Sequence, residues 1–210
     1  SIPLLTAQII AEHGSEEQKA KFLPEFVAGS IFQVGLGINN ALISTGSYQS
    51  SVLAKENGEE IILNGSKAGI AFANDAKTFL ISASNESGEC DLYFVNKDQE
   101  GIAFEEKEFM GLKGTPLSQI NLSNCKINAA QKLGGHNFSI DYQSLIDSSR
   151  IGMSALALGV CQAVLDYVVP YTNERAAFDE PISNRQSVAF LVADMAIETE
   201  ALRLMVYKSA

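Results

Sequence analysis

The chain is poor in the residues that mark metal, disulfide and nucleic-acid proteins. Its two histidines, His13 and His136, stand alone in polar surroundings, with no partner ligands at metal-binding spacing. Its three cysteines, Cys90, Cys125 and Cys161, are odd in number and far apart. They form no Cys-x-x-Cys pair, which excludes a metal or dithiol motif and fits a reducing compartment. Cys161 lies in an apolar helical run, where a small buried thiol is the expectation. Basic residues are scarce: 15 Lys and Arg against 25 Asp and Glu leave a net charge of −10. That balance argues against general nucleic-acid binding, which needs cations to displace counterions. An anionic ligand would need a local cluster of bases or helix N-termini. No apolar run reaches the roughly 18 residues expected of a membrane span. Residues 1–5 lack the basic flank and long apolar stretch of a signal peptide. Internal repeats and low-complexity tracts are absent as well.

What is present is a globular composition: 210 residues, 46% of them hydrophobic, enough for one large domain or two small ones. Periodicity divides the chain into three zones. Residues 1–30 read as helical, with a stop at Gly14, a new start at Ser15 followed by Glu16 and Glu17, and a C-terminal signal at Gly29. Residues 32–130 read as β, with strand-like runs at 32–36, 60–63, 78–82, 91–95 and 119–122. Turn signals stand at Asn57-Gly58, Asn64-Gly65, Ser87-Gly88 and 99–101, and this spacing predicts an antiparallel barrel or sandwich. Residues 139–210 return to helix. Residues 151–169 are apolar on nearly every face, which predicts burial all round. Pro170 is expected to kink or end that helix. Its partner, residues 187–207, keeps a polar stripe with Asp194 and Glu198 one turn apart.

Helices this apolar need further helices against them, from elsewhere in the protein or from another subunit. The chain therefore reads as part of something larger or as a subunit of an assembly. The expected fold class is α+β and multidomain. The divisions fall near residues 31 and 135: helical to residue 31, β over 32–135 and helical again over 136–210.

Particular segments carry a family resemblance. GSEEQKAKFLPEFVAG, the hairpin ENGEEIILNGSKAGI with Asn64, Gly65 and Lys67, and MGLKGTPLSQINLSNCKI follow one another in order. IDSSRIG and ALGVCQAVLDYVVPYTNERAAFDEPISNRQSVAFLVADMA complete the series. Together they resemble the acyl-CoA dehydrogenases, and the last block is the most specific. The resemblance implies the end of an N-terminal helical domain over residues 1–31, a middle β-domain over 32–135 and the first helices of a C-terminal four-helix bundle over 136–210, in a flavoprotein that oxidises an acyl-CoA thioester to the enoyl-CoA. A carboxylate removes the α-proton while donors hold the thioester carbonyl, and FAD accepts a hydride from the β-carbon.

The resemblance also implies roles for individual positions. Arg175, Phe178 and Gln186 stand where the family grips the FAD of a neighbouring subunit, and a planar guanidinium suits pyrophosphate oxygens. The plainer alternative is that Arg175 caps a helix and Phe178 staples the connector. Asp179 stands where the family usually has Gly. Asp147 and Arg150 match an Asp-x-x-Arg that contacts the CoA portion, although at i, i+3 they could simply pair with each other.

Elsewhere the family pattern is broken. Gly37, Ile38 and Asn39 replace Thr-Glu-Pro, and Leu42, Ile43 and Ser44 replace Gly-Ser-Asp. After Lys67, Gly69 has no ring to pack by a flavin, and Ala71 cannot donate a hydrogen bond to its edge. No catalytic carboxylate stands at a family position. In most members that Glu lies further along than residue 210, and in others at the position of Ser149.

The expectation is thus an acyl-CoA dehydrogenase-like flavoprotein that needs a partner subunit to complete its site. The alternative is a non-catalytic partner subunit of a hetero-oligomeric complex that has lost its own flavin site. Acyl-CoA, homo- or hetero-oligomeric sibling subunits and electron-transfer flavoprotein are the implied partners. A bacterial cytoplasm or a mitochondrial matrix is the implied location.

Overall fold

The computed structural model describes residues 2–30, 33–38, 50–111, 113–135 and 140–210. These fall into two compact units, residues 2–146 and residues 147–210.

The first unit opens with two helices, α1 (Ile2–His13) and α2 (Glu16–Val27). Ser15 starts α2 with a reciprocal cap: its Oγ accepts from the Gln18 amide at 3.2 Å, and Gln18 Oε1 accepts from the Ser15 amide at 3.0 Å. Gln18 does more than cap. Its Nε2 donates to the Lys132 carbonyl at 2.8 Å and its Oε1 accepts from the Gly134 amide at 3.0 Å. The helix is thereby fastened to the segment that follows the sheet. Phe22 stacks on Phe94 beside it, with ring centroids 4.4 Å apart.

Seven strands form one curled sheet: β1 (Val34–Gly37), β2 (Val52–Asn57), β3 (Glu60–Ala71), β4 (Thr78–Ser84), β5 (Cys90–Asn96), β6 (Ile102–Lys107) and β7 (Leu117–Asn128). The order is β1-β4-β2-β3-β7-β6, with β5 also on β4. Pairing is antiparallel except that β4 runs parallel to β1 and, at Leu53↔Ser84, to β2. β4 is buried on both faces because two cores flank it. Phe79, Ile81 and Ala83 point into the core enclosed by the sheet, with Tyr93, Val95 and Ile120. Leu80 points the other way, to Ile9, Ile10, Phe22, Leu92 and Phe94 beneath the helices.

Two strands, β2 and β6, fall where the sequence suggested none. Each is three apolar residues followed by three polar ones, VLAKEN and IAFEEK, so the apolar signal is short and lacks alternation. A second difference concerns Asn64-Gly65, which is not a turn: β3 runs straight through it, with a shift of register against β7 between Leu63 and Gly65. Gly65 has φ +136, and a Cβ there would lie 2.3 Å from the Ser51 carbonyl oxygen. The glycine serves a bulge and a close backbone approach.

The long helix α3 (Tyr142–Glu174) begins on the first unit, where Tyr142 and Leu145 are buried. It does not end at Pro170 but continues to Glu174. The proline removes one hydrogen bond from a long ladder, a loss borne by the turns on either side. In the second unit, α3 is followed by the small hairpin β8 (Ala176–Ala177) and β9 (Glu180–Pro181), and then by α4 (Gln186–Ser209).

Within this unit the helices are not buried all round. Met153, Leu156, Val160, Tyr167, Leu191 and Leu204 are exposed, and so is Cys161, contrary to the buried thiol expected. Between residues 147 and 210 the buried residues are Leu158, Thr172, Thr199 and Val206. Arg203 Nη2 donates to Gln162 Oε1 between the two helices. Residues within α3 average a mean hydropathy of 1.6 over 18 positions, so by length and composition alone this helix could cross a membrane. Polar residues such as Gln162 and Asp166 interrupt its apolar run, and the helix is weak evidence for a span. Core helices of soluble proteins meet the same criterion.

Candidate functional site

The connector between α3 and α4 is built as a strict two-residue hairpin. Ala176 pairs with Pro181 and Ala177 with Glu180, leaving Phe178 and Asp179 at the tip. Both tip residues are left-handed, with φ of 57° and 65°. This is the pattern of a type I′ turn, which matches the twist of paired strands but favours Asn and Gly. A non-glycine residue in this region costs about 1–2 kcal/mol. The base of the hairpin is closed by the Ile182 amide, which donates to the Arg175 carbonyl at 2.9 Å.

Three of the residues singled out from sequence therefore sit on one rigid connector. Arg175 directly follows the last turn of α3, its amide bonded to the Tyr171 carbonyl at 2.9 Å, and its side chain is exposed. Its guanidinium makes no ion pair among the described residues. Phe178 is 89% exposed, which leaves nearly the whole ring available. Gln186 is the first residue of α4 and is exposed. Of the plainer roles considered from sequence, no side-chain cap by Arg175 is present among the described residues, whereas the Phe178 ring does meet a neighbour within the connector, the Arg185 guanidinium.

Asp147 and Arg150 also come together, Nη1 to Oδ1 at 3.1 Å, on an exposed face of α3. An exposed i, i+3 pair contributes under about 1 kcal/mol.

Of the altered segments, Gly37 ends β1 and Ile38 follows it, both buried. Asn39, Leu42, Ile43 and Ser44 lie outside the described residues, as does His136. On β3, Gly69 has φ +67 at a second shift of register, between Lys67 and Ile70, and Ala71 is buried.

Sequence reasoning missed a buried polar network beside these positions. Lys67 is fully buried, and its Nζ donates to Ser50 Oγ at 2.7 Å. Ser50 Oγ donates in turn to the Ser82 carbonyl at 2.7 Å. Ser82 Oγ and the Tyr142 hydroxyl lie 3.1 Å apart, and Tyr142 donates to the Ile38 carbonyl at 2.8 Å. Burial lowers the Lys67 ammonium from 10.5 to about 8, while the nearby Cys90 thiol pulls weakly upward. Burial pushes that thiol up to about 11. The available signal was a lysine on an inward-alternating strand position, which needed either a partner or a neutral amine.

Known proteins resemble this chain in sequence and fold. Residues 39–125 match the family model "Acyl-CoA dehydrogenase, middle domain", and residues 141–210 match "Acyl-CoA dehydrogenase, C-terminal domain". The chain belongs to the acyl-CoA dehydrogenase family. Probable acyl-CoA dehydrogenase FadE25 of Mycobacterium tuberculosis is 34% identical over 205 residues, covering 94% of this chain and 52% of that protein. The mitochondrial short/branched chain specific acyl-CoA dehydrogenase of Rattus norvegicus is 32% identical, covering 97% and 48%. The chain thus spans about half the length of these relatives.

Among solved structures, a glutaryl-coenzyme A dehydrogenase–glutaryl-CoA complex superposes with a TM-score of 0.87 at 28% identity, over 99% of this chain and 54% of that one. A chain of the ChsE4–ChsE5 complex of Mycobacterium tuberculosis superposes with a TM-score of 0.82 at 25% identity, over 98% and 53%. Family membership accounts for the α+β fold, its curled sheet and the helices that follow.

Proposed function

We propose that the chain is part of an FAD-dependent acyl-CoA dehydrogenase, acting on the α,β-bond of an acyl-CoA thioester. In this reading its β8–β9 hairpin is the part it lends to the FAD of a neighbouring subunit. One observation carries the proposal: an exposed guanidinium, an almost fully exposed ring and an exposed amide on one short, rigid connector. These residues fit the group. Arg175 offers a planar fork to pyrophosphate oxygens, Phe178 offers an apolar face to a ring, and Gln186 both donates and accepts. FAD when bound supplies the hydride acceptor, and electron-transfer flavoprotein would take the electrons onward. Asp147 and Arg150 are assigned to the CoA portion of the substrate. Their mutual ion pair holds the guanidinium in place, yet it is exposed and weak enough to yield to a phosphate. No catalytic carboxylate is assigned to this chain: Ser149, at the position where some members carry it, is no general base. Bacterial and mitochondrial relatives support action in a bacterial cytoplasm or a mitochondrial matrix.

A second reading has this chain as a non-catalytic partner that holds no flavin on its own β-domain. It is favoured by β3, where Gly69 has no side chain and Ala71 is a buried methyl group. The ChsE4–ChsE5 neighbour, a complex of two different chains by name, supports a heteromeric arrangement.

The test is visible flavin absorbance of the full-length protein, purified alone and after co-expression with a sibling subunit, with and without Arg175→Ala. The first reading expects FAD in the assembled protein and its loss in the variant. FAD that appears only after co-expression favours the second. Stoichiometric FAD in the Arg175→Ala assembly would contradict the hairpin's role in both.

A further inference from the structure

The connector contains a fourth residue with a function to explain, Arg185, which immediately precedes α4. Two successive non-glycine residues at its tip are left-handed, and strain of this kind persists only where neighbouring structure enforces it. Burial cannot enforce it at Phe178, whose side chain is nearly all exposed. Arg185 is the neighbour in position to do so. Its guanidinium lies over the Phe178 ring at 4.8 Å from the centroid, and its Nη2 donates to the Ala177 carbonyl at 3.3 Å. The half-buried Arg185 forms no ion pair among the described residues, although Asp179 and Glu180 are on the hairpin. Glu180 instead accepts from Asn184 Nδ2 at 3.3 Å. The backbone holds Arg185 firmly: its carbonyl accepts from the Val188 and Ala189 amides at the start of α4.

We infer that Arg185 is a positioning residue, holding the Phe178 ring in its strained outward pose so that the ring is ready for the planar ring system of a flavin nucleotide. The inference rests on the reading of the hairpin given above. A cation is attracted to the face of an aromatic ring, and a planar guanidinium can also stack on it. The hydrogen bond to Ala177 fixes where that guanidinium lies. The ring is therefore ordered before any ligand arrives, and binding does not have to order it.

The experiment is FAD titration into the deflavinated, assembled full-length protein, read by flavin fluorescence, together with the thermal midpoint of the FAD-free form. Arg185→Ala is expected to weaken FAD roughly fivefold. Arg185→Lys recovers part of the loss, since an ammonium still attracts the ring face. Added to Phe178→Ala, Arg185→Ala has no further effect, because it acts only through the ring. Losses that simply add would show Arg185 touching the nucleotide directly and overturn the inference. Unchanged affinity with a lowered thermal midpoint would assign it a structural role only, and also overturn it. Arg175→Ala and Phe178→Ala separate this from the parent reading. If both leave affinity unchanged, the reading of the hairpin itself fails. If both weaken FAD while Arg185→Ala does not, only the positioning role fails.

Discussion

The β8–β9 hairpin and the Lys67 network are opposites in how their polar groups are satisfied. In the network, a buried ammonium, two serines and a tyrosine satisfy one another and end on the Ile38 carbonyl. In the hairpin, Arg175 and the ring of Phe178 face solvent on a backbone strained at two positions. A protein that keeps a charge buried must partner it internally, whereas one that keeps a strained, exposed aromatic has a use for it outside the fold. The first region is satisfied within the fold; the second is the part that we propose is offered to a neighbouring subunit's FAD.

The contrast can be sharpened by variants, taken from the largest effect to the smallest. Gly65→Ala, on the same strand as Lys67, forces a Cβ toward the Ser51 carbonyl at a φ that side chains rarely adopt. Chemical denaturation should show a loss of roughly 3 kcal/mol; a loss below that of an ordinary surface substitution would mean the bulge is dispensable. Gln18→Ala removes the acceptor for the Ser15 amide and the ties to Lys132 and Gly134, and should cost about 2 kcal/mol in the same measurement.

Lys67 predicts a pH effect. Its ammonium holds a proton up to about 8 in the folded chain but to 10.5 when unfolded, so the unfolded state binds more protons between these values. Stability should therefore rise with pH across that window, by up to about 1.4 kcal/mol per unit, and be lost as pH falls through about 8. Cys90 opposes this above its ordinary 9.0, because its raised value favours the folded thiol. The difference between wild type and Lys67→Met, read between pH 8 and 9, isolates the lysine; parallel pH curves would show that the amine is not depressed. The smallest effect is at the hairpin. Asp179→Gly relieves left-handed strain and should stabilise by at most about 1 kcal/mol, and a destabilised variant would mean that Asp179 holds the turn by contacts of its own.

Much of this was legible in the sequence, for identifiable reasons. The start at Ser15, the strands around 78–82 and 91–95, and the Arg175–Phe178–Gln186 connector all carry local signals: a cap, buried alternation, a fixed spacing. β2 and β6 were missed because their apolar runs are short and lack alternation. Asn64-Gly65 was misread because the same dipeptide serves a hairpin turn and a bulge, and only the strand opposite it decides which. The exposed faces of α3 and α4 show that periodicity reports what a helix can bury, not what this chain alone supplies. Lys67 and Arg185 could not be read because their partners, Ser50 and the ring of Phe178, are set by three-dimensional placement.

The most direct measurement is the FAD dissociation constant of the assembled full-length protein carrying Arg175→Ala or Arg175→Lys. Loss of a bidentate charge-assisted contact should weaken FAD by roughly 100-fold in the alanine variant, and less in lysine, which keeps the charge without the fork. The FAD-free thermal midpoint should not change in either, because Arg175 is exposed and supports nothing within the described chain. Wild-type affinity in Arg175→Ala would contradict the central claim that the hairpin is built for a flavin.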